Sequence, residues 1–235
     1  MRELTIERGV MDHAEGSVLI SMGRTRVVCT ASVSVDVPDF LKGTGRGWVT
    51  AEYDMLPRST HTRRLRDRSR RTPDARTLEI SRFIGRSLRA AVQTDYLKNA
   101  TVVLDCDVIQ ADGGTRTAAV NGSMVALAEA LVWMKEKGMI PGVPLNGLVG
   151  AVSVGIAGGR AVMDLDYELD SEAEVDMNVV MLEGGDLIEV QGTAEKNPFG
   201  RAKLGEMLDL AASGIEKIIA AQKEALGSEF LAKLG

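Results

Sequence analysis

The 235-residue chain holds little of the chemistry most hydrolases use. It has two histidines, His13 and His61, and two cysteines, Cys29 and Cys106. That is too few for a zinc site of Cys and His ligands, and no convincing Ser–His pair is present. Catalysis then falls to Asp, Glu, Arg, Lys or a bound metal ion. Both cysteines lie in strand-like runs and read as core thiols, not as a disulfide framework, which predicts a cytoplasmic setting. No apolar run approaches the ~18 residues of a membrane span. The opening Met1-Arg2-Glu3-Leu4-Thr5 carries no apolar signal region.

What is present is unevenly placed. Apolar residues make up 45% of the chain, enough for one large core or two small ones. The net charge is −5, yet Arg58 to Arg89 holds eleven arginines, no lysine and three acids. That block carries +8 and leaves −13 to the remainder. An acidic protein with one arginine-only block points to a local polyanion contact rather than a general DNA coat. A solvated loop is the alternative for Arg63 to Asp74, which has few apolar anchors.

Period-two patterning predicts strands over Ser17–Met22 and Thr25–Val35, joined at Gly23-Arg24, and over Gly47–Tyr53. A helix is predicted from about Arg76 to Val92, with Ile80, Phe83, Ile84, Leu88 and Ala91 on one face. Another strand, Thr101–Gln110, precedes a helix over Ala118–Lys137. Gly138, Pro141 and Pro144 mark a boundary between halves 1–141 and 142–235. The second half predicts strands at Leu148–Ile156, Ala161–Tyr167, Glu174–Leu182 and Leu187–Gly192. A closing helix from Arg201 to about Leu226 turns Leu204, Leu208, Ala211, Ile215, Ile218 and Ile219 inward. Each half reads as strands followed by a helix, a duplicated α+β plan.

Two stretches carry chemistry. Asp112-Gly113-Gly114-Thr115-Arg116-Thr117-Ala118 follows a strand and opens a helix. Glycines admit a ligand close to the backbone, first-turn amides lack internal partners, and Thr115, Thr117 and Arg116 add donors. This is the composition of a phosphate site, with an ordinary capped turn as the plain alternative. The second stretch crowds Asp164, Asp166, Glu168, Asp170, Glu172, Glu174 and Asp176 together. Alternation puts Asp176 and Asn178 on one face of a strand. A hard divalent cation suits such a cluster, and a solvated acidic turn is the alternative.

The chain resembles the ribonuclease PH family, phosphate-dependent 3′ exoribonucleases of bacteria, over nearly its whole length. The matching stretches include Gly47-Trp48-Val49-Thr50-Ala51-Glu52-Tyr53, Met55-Leu56-Pro57-Arg58, Ile84-Gly85-Arg86-Ser87-Leu88-Arg89, Asp105 through Ala118, Ala173 to Asn178, and Val190 to Glu195. The resemblance implies an α+β, two-part fold similar to domain 2 of ribosomal protein S5, assembled as a homohexamer, a trimer of dimers. It implies a phosphate site at Arg76, Gly114, Thr115 and Arg116. It implies catalytic aspartates Asp170 and Asp176, the same pair serving as ligands of Mg²⁺, and tRNA-contacting arginines Arg58, Arg63 and Arg66. Two departures stand out. Met1-Arg2-Glu3-Leu4 replaces a longer opening segment, and Ala75 replaces a glycine before Arg76.

The expected reaction is phosphorolysis of RNA 3′ ends, those of tRNA precursors especially. Inorganic phosphate is the co-substrate and nucleoside 5′-diphosphates are released. Whether an aspartate holds metal or donates a proton stays open at this level. The rival expectations are a catalytically silent RNA-binding ring subunit of an exosome-like assembly and a hydrolytic metal-dependent nuclease.

Overall fold

The alternating runs form two sheets in the computed structural model, which describes residues 1–66 and 74–234. Strands β1 (Leu4–Arg8), β2 (Gly16–Met22), β3 (Thr25–Ser34), β4 (Trp48–Met55) and β5 (Thr101–Gln110) make the first, in the order β1-β2-β3-β5-β4. Its pairs are antiparallel except β4 with β5. Helix α1 (Ala75–Ala91) supplies the crossover that a parallel pair requires. Strands β6 (Val149–Ala157), β7 (Arg160–Met163), β8 (Val175–Leu182) and β9 (Leu187–Ala194) form an antiparallel sheet of order β7-β6-β8-β9.

Helix α2 (Thr115–Glu136) packs on β2 and β3 from one side and on β6 from the other. It is the shared centre of a core that draws on both sheets. By length and average composition it is apolar enough to cross a membrane, although polar and charged residues such as Asn121 and Glu129 keep it from holding an unbroken apolar run. Its burial between two sheets accounts for that composition, since a helix covered on all sides needs no polar face. Its buried polar groups are matched. The Asn121 side chain donates to Ala151 O at 2.9 Å and accepts from Ala151 N at 2.7 Å, so an amide on the helix bonds the backbone of β6. Gly122 is required by contact: a Cβ there would lie 2.7 Å from Cys29 Sγ.

Helix α4 (Arg201–Leu226) covers β6 and β7, with Ala211, Ile215, Ile218 and Ile219 buried as predicted and Leu204 and Leu208 partly so. A short helix, α5 (Ser228–Leu234), follows.

The structure corrects several expectations. The strand predicted over Ala161–Tyr167 stops at Met163, because Asp164 takes a left-handed φ of 59°. Asp166 then caps helix α3 (Tyr167–Glu172) by accepting from Leu169 N, so Asp170 lies on a helix and not in a turn. Helix α2 starts three residues earlier than predicted, at Thr115. The halves are not simply strands then helix: α1 is inserted between β4 and β5, and α3 between β7 and β8. Ala75 occupies the first helical position of α1 after the Asp74 cap and has no positive φ, so alanine fits there without strain.

Candidate active site

One cleft of about 590 Å³ opens where the end of β5 and the start of α2 meet α3 and β8. Its wall includes Arg76, Gly114, Thr115, Arg116, Asp170 and Asp176, six residues singled out from sequence. They come from α1, the β5–α2 turn, α3 and β8, so both halves contribute.

The turn between β5 and α2 is built for close approach. Gly113 and Gly114 both take left-handed φ, 72° and 64°. A Cβ on Gly113 would come within 2.4 Å of Leu165 O, so the turn touches the backbone leading into α3 and only glycine fits. Gly114 caps α2 without a side-chain bond. The amides of Thr115, Arg116 and Thr117 therefore make no hydrogen bond among the described residues and form a cationic helix end at the cleft. Thr25 anchors the turn from behind: its Oγ1 donates to Gly113 O at 2.6 Å and accepts from Asp112 N at 2.9 Å.

The two threonines differ. Tyr53 Oη donates to Thr115 Oγ1 at 2.8 Å, which leaves the Thr115 hydroxyl proton free for an acceptor in the cleft. Burial pushes the Tyr53 phenol above its ordinary range, so it stays a donor. Thr117, expected as a second donor, is buried and its hydroxyl donates to Gly114 O at 2.9 Å. It holds the helix end and does not face a ligand.

Arg116 is fixed by the second half. Its Nη1 donates to Gln191 Oε1 on β9 at 2.8 Å and to Glu79 Oε1 on α1 at 3.1 Å. Its guanidinium also sits 5.7 Å from the centre of the Phe83 ring. Arg76 is exposed in the cleft and makes no ion pair among the described residues. Its helix is tied to the preceding loop through Asp74, which accepts from Arg76 N and from Arg64 Nη2 at 2.7 Å.

The acidic run separates into distinct roles. Asp164 is buried against Arg2, Asp166 caps α3, and Glu174 accepts from Gly159 N. Asp170 and Asp176 reach the cleft, joined there by Glu195. Both aspartates are held above the usual carboxylate range, first by desolvation; for Asp176 the negative charge of Asp170 adds to it. Arg116 and Arg76 oppose the rise in each. Two like charges kept close in a partly dry cleft are a fit for a hard cation. No cluster of three metal-type side chains occurs among the described residues. A pair of carboxylates is within what Mg²⁺ takes from a protein, its remaining oxygens coming from water and phosphate.

Arg58, Arg63 and Arg66 are exposed on the loop after β4 and lie outside the cleft wall. Their neighbour Arg64 lines the cleft instead. Arg68, Arg70 and Arg71 of the same block lie outside the described residues.

Arg2 is a residue no local pattern marks. Its Nη1 donates to Asp112 O at 2.5 Å, its Nη2 to Asp164 Oδ1 at 2.6 Å and its backbone N to Asp164 Oδ2 at 2.7 Å. One side chain thereby joins the anion turn to the loop before α3. Tyr53, Glu79 and Gln191 were likewise not singled out, although all three fall near motifs that were.

Known structures share this architecture. An exosome of Archaeoglobus fulgidus, described with RNA bound to its active site, superposes with a TM-score of 0.80 at 21% identity, covering 94% of this chain and 89% of that one. Rice (Oryza sativa) Rrp46 gives 0.76 at 15% identity, over 97% and 96%. An archaeal exosome core gives 0.76 at 20% identity, over 94% and 86%. At such identities the likeness concerns the fold. Sequence models of the 3′ exoribonuclease family match directly, domain 1 over residues 1–132 and domain 2 over residues 147–214. With both domain models matched over most of its length, and its fold that of the exosome structures, the chain belongs to the 3′ exoribonuclease (RNase PH) family.

Proposed function

We propose that the protein is a phosphorolytic 3′–5′ exoribonuclease that trims the 3′ extensions of tRNA precursors. The observation that carries this reading is the meeting of an anion-binding helix end, with Arg76 and Arg116, and two carboxylates in one cleft. Phosphate at neutral pH is already a nucleophile, so the scarcity of histidine and cysteine is no handicap. The requirement is to hold two anions in line.

In this scheme Arg76, Thr115, Arg116 and the first amides of α2 grip inorganic phosphate, with arginine suited to two-pronged contact. An oxygen of that phosphate bonds to the phosphorus of the last phosphodiester, and the bond from that phosphorus to the 3′ oxygen breaks. The products are a nucleoside 5′-diphosphate and an RNA one residue shorter, whose 3′ oxygen takes up the proton that the attacking hydrogen phosphate gives up. Asp170 and Asp176 are the residues that would hold Mg²⁺ against the scissile group. When bound, that ion supplies positive charge at the scissile phosphate and the leaving oxygen. Arg58, Arg63 and Arg66 grip the tRNA body away from the chemistry, and the family resemblance supports a homohexameric ring.

The likeness to exosome subunits favours one second reading, a ring subunit that binds RNA without cutting it. One assay separates the two. A precursor tRNA with a 3′ extension is incubated with and without inorganic phosphate, and products are identified. Phosphate-dependent release of nucleoside diphosphates, with the reverse extension of RNA from them, is the expected result. Binding with no products supports the silent subunit. Monophosphates at full rate without phosphate overturn phosphorolysis in favour of hydrolysis.

A further inference from the structure

Two rings stand together beside the cleft with no part in the chemistry described. Tyr167 begins α3, lines the cleft and is 54% exposed. The His61 ring lies 5.5 Å from it, centre to centre, tilted by 56°. His61 is itself exposed and follows Thr60, another residue of the cleft wall. The rings come from a loop and a helix 106 residues apart in sequence, brought together only by the packing of the two halves.

Neither ring serves the core. A large aromatic left more than half open beside a phosphate cleft leaves apolar area uncovered that a flat apolar partner would bury. Helical geometry fixes what that partner is near. Tyr167 and Asp170 are three residues apart on α3, hence on the same side of the helix and about 4.5 Å apart along its axis. Ring and carboxylate thus line the same cleft from one helix.

We propose that Tyr167 and His61 form a stacking platform for a nucleobase of the single-stranded RNA 3′ end. This rests on the RNA-cleaving reading of the cleft and adds a contact to the base, where the groups given a role so far meet phosphate or a cation. Stacking accepts any base, because every base has a π-face. It suits an enzyme that must shorten RNA irrespective of sequence, and it positions the terminal nucleotide without a base-specific hydrogen bond.

The test is binding of a 5′-labelled single-stranded RNA to the full-length protein without phosphate, so that no phosphorolysis occurs. The RNA is compared with versions carrying one abasic residue at each of the last four positions. Tyr167→Ala is expected to weaken binding of the intact RNA by about 5- to 150-fold, the range for one stacked base, and Tyr167→Phe to restore it. With the abasic residue at the stacked position, wild type and Tyr167→Ala should bind equally; at the other positions the difference should persist. His61→Ala should show its loss at the same position. Equal affinity of Tyr167→Ala and wild type for intact RNA, or a loss indifferent to where the abasic residue sits, overturns the platform. Phosphate-dependent product release by the wild type is measured in parallel. If that fails while the abasic coupling holds, the phosphorolytic reading falls and the platform stands.

Discussion

Replacing Arg2 by alanine isolates the tie between the anion turn and the second half. The substitution removes two charge-assisted bonds, to Asp112 O and to Asp164 Oδ1. It leaves the Asp164 side chain, 1% exposed, without its cation. Breaking a buried ion pair from one side costs about 3–5 kcal/mol. Asp164 keeps the backbone amide of residue 2, so the lower figure, about 3 kcal/mol, applies. For a chain of this size that is a fall in melting temperature of roughly 6–12 °C at fixed protein concentration. Asp164→Asn in the same chain should recover much of the stability, since asparagine tolerates the left-handed backbone and carries no stranded charge. It should not recover phosphate affinity, because Asp112 O remains unheld. Thermal unfolding and initial rates against phosphate concentration read the two effects separately. A wild-type melting temperature with a wild-type KM for phosphate in Arg2→Ala would refute the reasoning.

Four further outcomes are expected. Glu79→Ala should lower kcat/KM about tenfold, the worth of one hydrogen bond to a charged group, with melting little changed because Glu79 is 42% exposed. Asp176→Asn should cut kcat by about 10²–10³-fold at near-normal RNA affinity. Replacing Arg58, Arg63 and Arg66 together should instead lower the slope of log affinity for precursor tRNA against log salt by about 2–3, sparing a short oligonucleotide; rates and salt titrations distinguish the two. Asp105 and Asp107 lie across the β4–β5 pair from Glu52 and Asp54, and both are held above the usual carboxylate range, by desolvation and then by those acids. A raised carboxylate pKa makes the ionised form costly in the fold, a cost present at pH 7 and relieved as pH falls through the folded value. Asp105→Asn should therefore stabilise by roughly 0.2–1 kcal/mol at pH 7, and the gain should vanish in acid; a gain that grows on acidification refutes the assignment.

Local patterns showed most of the strands and the glycine turn, because each depends on periodicity or on a few adjacent residues; the choice of Asp170 and Asp176 from the acidic run came from the family resemblance, and the structure puts both in one cleft. What they did not show has a common cause. Helix α3 spans six residues, Tyr167-Glu168-Leu169-Asp170-Ser171-Glu172, too few to display a helical stripe. Strand β1 is a five-residue edge with its pattern half exposed. Arginine spacing after β4 could not tell Arg64, which enters the cleft, from Arg63 and Arg66, which do not. The partners of Arg2 and Arg116 lie 162 and 75 residues away, and the positive φ of Asp164 has no sequence mark.

Those separations also set a timetable. A nascent chain grows at about 5–20 residues per second. Arg116 therefore emerges some 4–15 seconds before Gln191, the residue that aims it, and Arg2 waits roughly twice as long for Asp164. Over that interval the ribosome displays the arginines proposed to grip RNA with no completed cleft behind them. An enzyme proposed to consume RNA from its 3′ end is thus without a finished active site while its own messenger is still being read.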